Sequence, residues 1–219
     1  MSEFEIAWRA TQEQAESTNT ALFMSAHGIA DLAELRTRSA EDPEWFWEAV
    51  VDYLGLPFDR PWRAVRDTSR GHPWATWFVG GSFNLSRACV DRWADETPDR
   101  VALKSEKETG EIRELTFAQL RDEVGRLGRA LLDLGVTRGD AVAVYLPMGQ
   151  EAVVALLAVA RIGAIFIPVF SGYGAEAVAS RLVDPKPKVI ICANGFRRRG
   201  RVVEMKEVAD RATVMAGGI

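Results

Sequence analysis

Four arginines fall within five residues in the segment Asn194-Gly195-Phe196-Arg197-Arg198-Arg199-Gly200-Arg201. Guanidinium groups present rigid forks of N–H donors that match phosphate oxygens two at a time, so such a cluster suits phosphate recognition. Phe196 and the guanidinium planes also suit stacking on a purine ring. A solvated basic loop has the same composition. A second segment, Ser171-Gly172-Tyr173-Gly174, combines two glycines with a serine. Such a loop lets the backbone approach a ligand closely and can open a helix whose N-terminus favours anions. A turn that simply requires glycine fits the same residues. Neither the GxGxxG fingerprint nor the GxxxxGK[ST] phosphate loop occurs in the chain. Cys89 and Cys192 match no metal or redox spacing and read as buried free thiols of a reducing compartment. His27 and His72 have no partner at a metal-ligand spacing, so no metal site is expected.

Both segments follow short apolar runs, and those runs decide what could position them. Ala141 to Leu146, Ala164 to Phe170 and Lys188 to Ala193 read as buried strands. Helical patterns follow each: one to about Ile162, one from about Ala175 to Val183, one from Val202 to Ala212. Buried strands alternating with amphipathic helices specify a parallel sheet with crossover helices, and ligands of such sheets bind at the C-terminal strand ends. Upstream, Phe117, Leu120, Val124, Leu127, Leu131 and Leu134 form one apolar helical stripe, closed by Gly135. Val101 to Lys104 and Ile112 to Thr116 read as two strands around a charged turn, and Leu85 to Ala94 as a helix.

The first 83 residues have a different texture. Ser2 to about Ala40 reads as helical and largely polar, without strong caps. Asp42-Pro43 then marks a helix start, Phe46, Val50 and Leu54 repeat at helical spacing, and Gly55 with Pro57 ends it. Pro61 through Pro73 reads as a loop. Most of the tryptophans lie between Trp45 and Trp77, interleaved with arginines, a mixture that suits either packing of an irregular segment or nucleic-acid stacking. The expected fold is therefore α/β. It is an incomplete doubly wound parallel sheet with flanking helices over residues 84–219, preceded by a helical and irregular extension over residues 1–83.

The formal net charge of −4 argues against a general nucleic-acid binder. Acidic side chains outnumber basic ones in the first hundred residues, and every lysine lies beyond them, so an anionic ligand is expected in the later part. The N-terminus is acidic and has no apolar leader region, and Arg161 and Gly163 interrupt the most apolar stretch. A cytoplasmic protein with small-molecule ligands is the expectation, without a nucleic-acid or membrane partner.

The stretch Trp77 to Arg92, WFVGGSFNLSRACVDR, resembles the junction between N-terminal extension and first core domain in AMP-forming acyl-CoA synthetases of the acetyl-CoA synthetase type. The resemblance continues collinearly through ELTFAQLRDEV, LGRALLDLGVTRGDAVAVYLPM, EAVVALLAVARIGAIFIPVFSGYGAEAVASRLVD and PKVIICANGFRRRGR, covering roughly Pro43 to Asp210. It implies an acid–thiol ligase that activates a short-chain carboxylic acid, such as acetate or propionate, with ATP and Mg as an acyl-adenylate. The acyl group is then transferred to coenzyme A. It further implies that Gly172, Arg198 and Arg201 contact the nucleotide part of coenzyme A. The family's loop reads as GVRAGR, whereas GFRRRGR is one residue longer at its front and carries Arg199 in place of alanine. That leaves open which of Arg197, Arg198 and Arg199 faces the ligand. The family's ATP loop, ribose-binding aspartate and catalytic lysine lie beyond Ile219, and Met215 to Ile219 reads as a loop rather than a finished domain. The polypeptide alone is accordingly expected to form no acyl-adenylate. A free-standing, noncatalytic module for coenzyme A or acyl-CoA is the alternative, as is an interaction protein that docks through its tryptophan-rich extension.

Overall fold

The structure, a computed structural model, describes residues 7–219 and divides into two compact units between Ser82 and Phe83. In the first unit, α1 (Gln12–Glu16), α2 (Asn19–Ala26), α3 (Leu32–Glu41) and α4 (Pro43–Leu54) follow one another closely. The helical segment expected without strong caps is in fact well capped; its residues 2–6 lie outside the described residues. Thr11 and Gln14 form a reciprocal capping box, Thr18 accepts from the Ala21 N–H, and Asp31 accepts from the Glu34 N–H. Asp42 caps α4 ahead of Pro43, and Gly55 closes it in the left-handed conformation (φ 57°). Phe23, Ile29, Leu35 and Ala49 form the core, with Trp45, Phe46 and Val50 packed on them.

The stretch from Pro61 to Pro73 is not wholly a loop. After β1 (Phe58–Arg60), β2 (Ala64–Asp67) pairs antiparallel with β3 (Thr76–Val79). Within the unit, arginines and tryptophans pack on each other. Arg38 lies 3.5 Å over the Trp45 ring, Arg66 lies 5.8 Å from that of Trp77, and Trp47 meets Trp77 edge-on. A short strand, β4 (Ser82–Phe83), marks the boundary.

The second unit opens with the helix expected from Leu85 to Ala94, which includes a π-helical turn, Arg87–Asp91, leading directly into α5 (Arg92–Glu96). Both flanks of that turn engage Arg161. The Asn84 side chain donates to its carbonyl at 3.0 Å, and Asp91 pairs with its guanidinium at 3.0 Å. Cys89 sits on the outer face of the turn, between buried Ala88 and Val90, and is exposed rather than buried. A hairpin follows, β5 (Val101–Glu106) with β6 (Ile112–Thr116), then α6 (Phe117–Asp133), which begins with a Thr116–Gln119 capping box. The expected α6 stripe is buried at Leu120, Val124 and Leu131, while Leu134 lies exposed at the C-cap.

Three parallel strands carry the rest: β7 (Ala141–Tyr145), β8 (Ile165–Pro168) and β9 (Val189–Cys192), in the order β8-β7-β9. The crossover helices are α7 (Gln150–Arg161) and α8 (Ala175–Leu182). The central strand β7 is buried along its whole length, and alternation divides it between two cores. Val142 and Val144 pack with Leu131, Ala155 and Val159 from α6 and α7, whereas Ala143 and Tyr145 pack with Val178 and Leu182 from α8. Helices thus cover both faces, as a doubly wound sheet requires. At the opposite end from the loops of interest, Lys188 bonds Asp140 at 2.8 Å, tying the starts of β9 and β7 together.

Candidate functional site

The glycine segment leaves the C-terminal end of β8 and leads into α8. The arginine segment leaves the C-terminal end of β9, but it is not a loop running into a helix at Val202. It is a β-hairpin of β10 (Gly195–Arg198) and β11 (Arg201–Glu204), and the last helix, α9, begins only at Met205 (Met205–Met215). Val202 and Val203 are β-branched, which favours the strand. Arg199 and Gly200 both take positive φ, 52° and 74°, the condition for a two-residue type I′ turn.

The hairpin register sorts the arginines. Arg198 pairs with Arg201 and Phe196 with Val203, while Arg197 pairs with Val202. Because side chains alternate along a strand, Arg198 and Arg201 stand side by side on one face and Arg197 points to the other. Phe196 is half-buried against the core that holds Val178, Leu182 and Met205, so it is not free to stack on a ligand as expected. Among the described residues, no ion pair or side-chain hydrogen bond engages the guanidinium of Arg197, Arg198, Arg199 or Arg201. Like charges directly opposed across a hairpin repel, and an anion between the two guanidinium groups would offset that repulsion. Arg198, Arg199, Arg201, Val202 and Val203 line an open groove of about 670 Å³.

Gly172 lies against this hairpin. A Cβ built there would stand 3.2 Å from Nη1 of Arg198 and only 2.6 Å from the Phe170 ring. Gly172 is thus needed for close approach rather than for an unusual φ. Arg201 joins the constellation through its cross-strand partner Arg198. Two residues that carry the site were not singled out from the sequence. Tyr145, fully buried at the end of β7, donates its hydroxyl to the Tyr173 carbonyl at 2.9 Å and so holds the glycine loop from beneath. Burial raises its phenol above the usual range, which keeps it a protonated donor. Phe170, 57% exposed and edge-on to Tyr173, is the open aromatic face beside Gly172. Both were masked by the apolar strand runs they end. Cys192, beside Tyr145 in the β7–β9 register, is half-buried, and burial pushes its thiol up. The arrangement can bind a phosphorylated nucleotide: two forked cations, a backbone that admits close approach, and an exposed ring.

The sequence profile described as AMP-binding enzyme matches residues 90–216. The chain belongs to that family. A second profile, the acetyl-coenzyme A synthetase N-terminus, matches residues 32–89, and the chain corresponds to the N-terminal part of the family's acyl-CoA synthetases. Among curated AMP-binding relatives, it is 47% identical over 199 residues to an acetyl-coenzyme A synthetase of Streptomyces avermitilis, covering 87% of this chain and 30% of that protein. It is 42% identical over 185 residues to a propionate–CoA ligase of Salmonella typhimurium, covering 84% of this chain and 29% of that one. The fold superposes on the acetoacetyl-CoA synthetase of Streptomyces lividans with a TM-score of 0.88 and 29% identity, covering 97% of this chain and 34% of that chain. The chain therefore spans under a third of the length of these curated relatives. No helix among the described residues is long and apolar enough to cross a membrane.

Proposed function

We propose that this chain is part of an acid–thiol ligase that activates a short-chain carboxylic acid, acetate- or propionate-like, with ATP and transfers the acyl group to coenzyme A. Its own contribution is one side of the coenzyme A site. The observation that carries this reading is the Arg198–Arg201 cross-strand pair, in no ion pair among the described residues, with Arg198 lying against Gly172. An anion between the two guanidinium forks relieves their repulsion and gains charge-assisted hydrogen bonds, while Gly172 admits the nucleotide to the backbone. Phe170 offers its face to the adenine. Family membership and the collinear match to acetyl- and propionate-CoA ligases support ligase descent over a free-standing binding module. Among the described residues no group of three or more His, Cys, Asp or Glu side chains comes together.

We place the boundary between the extension and the first α/β part of the ligase domain at residue 83. A cytoplasmic location with small molecules as the ligands completes this reading. The test is calorimetric titration of the 219-residue chain with coenzyme A. Arg198→Ala and Arg201→Ala are each expected to weaken binding about ten- to hundredfold, the loss of one charge-assisted hydrogen-bonding group. Arg197→Ala, on the other face, is expected to leave it within about twofold. Equal losses for all three would mean that net charge, not a shaped site, holds the ligand.

A further inference from the structure

The tip of the arginine hairpin is held by a residue far away in sequence. Glu108, in the loop joining β5 to β6, accepts hydrogen bonds from the backbone N–H groups of both Arg199 and Gly200. These are the two turn residues with positive φ, whose N–H groups point outward and have no ladder partner. The carboxylate takes only backbone donors and pairs with none of the four guanidinium groups. It therefore fixes the turn without neutralising the arginines beside it. The tie connects two hairpins, each with an exposed tip, and a two-stranded hairpin is marginally stable by itself.

We propose that Glu108 is a positioning residue for anion recognition: it pins the Arg199–Gly200 turn so that Arg198 and Arg201 are presented together toward Gly172. This rests on the coenzyme A reading above. A charge effect and a positioning effect predict opposite signs. Glu108 is an anion near a site for an anion, so if it acted only through its charge, removing it would strengthen binding. If it acts by pre-organising the hairpin, removing it releases the tip and weakens binding, because the ordering must then occur on association.

The experiment titrates coenzyme A into the wild-type chain, Glu108→Ala, Glu108→Gln and Arg201→Ala, with amide hydrogen exchange at Arg199 and Gly200 measured on the ligand-free proteins. Glu108→Ala is expected to weaken coenzyme A binding about three- to tenfold, the order of one immobilised rotamer-rich segment. It should also raise exchange at both amides. Glu108→Gln retains one acceptor oxygen and should fall between wild type and alanine in both readouts; it also carries the test if the alanine variant does not fold. Unchanged or tighter binding by the Glu108 variants, with wild-type binding intact and Arg201→Ala impaired, overturns the role of Glu108 alone. Wild-type protein that binds no coenzyme A overturns the site reading, and the role of Glu108 with it.

Discussion

At the scale of single residues, the site is a matter of which atoms are absent as much as which are present. Gly172 has no Cβ, and the space a Cβ would take is occupied on one side by the Phe170 ring and on the other by Arg198. Gly172→Ala forces one of them to move. Phe170 is exposed and can rotate, so the fold is expected to survive with little change in melting temperature. The ring and the guanidinium nevertheless cannot both keep their positions, and coenzyme A binding is expected to weaken about three- to tenfold, the order of one disturbed rotamer-rich contact. Titration of the variant beside Phe170→Ala separates the two causes. If the clash acts through the ring, the double variant should bind no more weakly than Phe170→Ala alone. Additive losses would argue that Gly172 acts through Arg198 or through direct backbone contact.

At the scale of elements, the sheet is pinned at the end opposite the site. Lys188 and Thr137 bond the Asp140 carboxyl, with Lys188 the larger influence, and hold it well below the ordinary 3.8, at about 2. A carboxyl whose folded value lies below its unfolded value stabilises the fold fully above about 3.8, and that contribution fades as pH falls through about 2. Asp140→Asn should therefore lower stability to urea by a constant amount at pH 5 to 7, with the gap to wild type closing between about pH 4 and 2. A gap that persists at pH 2 would show that Asp140 acts by shape and not by charge. The parallel strands and crossover helices were legible because short apolar runs alternate with helical apolar spacing, and Gly135 and Gly163 mark the ends of α6 and α7. The hairpin at Gly195–Glu204 was not. Type I′ turns announce themselves by Asn-Gly or Asp-Gly, and Arg199-Gly200 hides the same geometry behind a charged side chain. The threonine caps of α1 and α2 carry a local signal, Thr11 three residues before Gln14, but the polar segment has no strong apolar stripe to mark where each helix starts. The pairing of Arg198 with Arg201 needed the register, which no local pattern specifies.

At the scale of the whole molecule, the arginine hairpin, Gly172, Tyr145 and Glu108 all lie in residues 83–219, while six of the seven tryptophans lie in residues 1–82. The acidic excess falls on the same side as the tryptophans, so an anionic nucleotide has no electrostatic reason to engage the first unit. A ligand stabilises only what it binds: at a hundredfold excess over its dissociation constant, coenzyme A should add about 2.7 kcal/mol to the second unit and nothing directly to the first. If the boundary at residue 83 is an energetic one, two optical probes of the same melt should part company when ligand is added. Tryptophan fluorescence, dominated by the first unit, should keep its midpoint. The far-ultraviolet circular dichroism signal, weighted toward the larger helical second unit, should move up by several degrees. Coincident shifts in both signals would mean that the units melt as one cooperative body, and the boundary would then be a feature of chain contacts without being a boundary in stability.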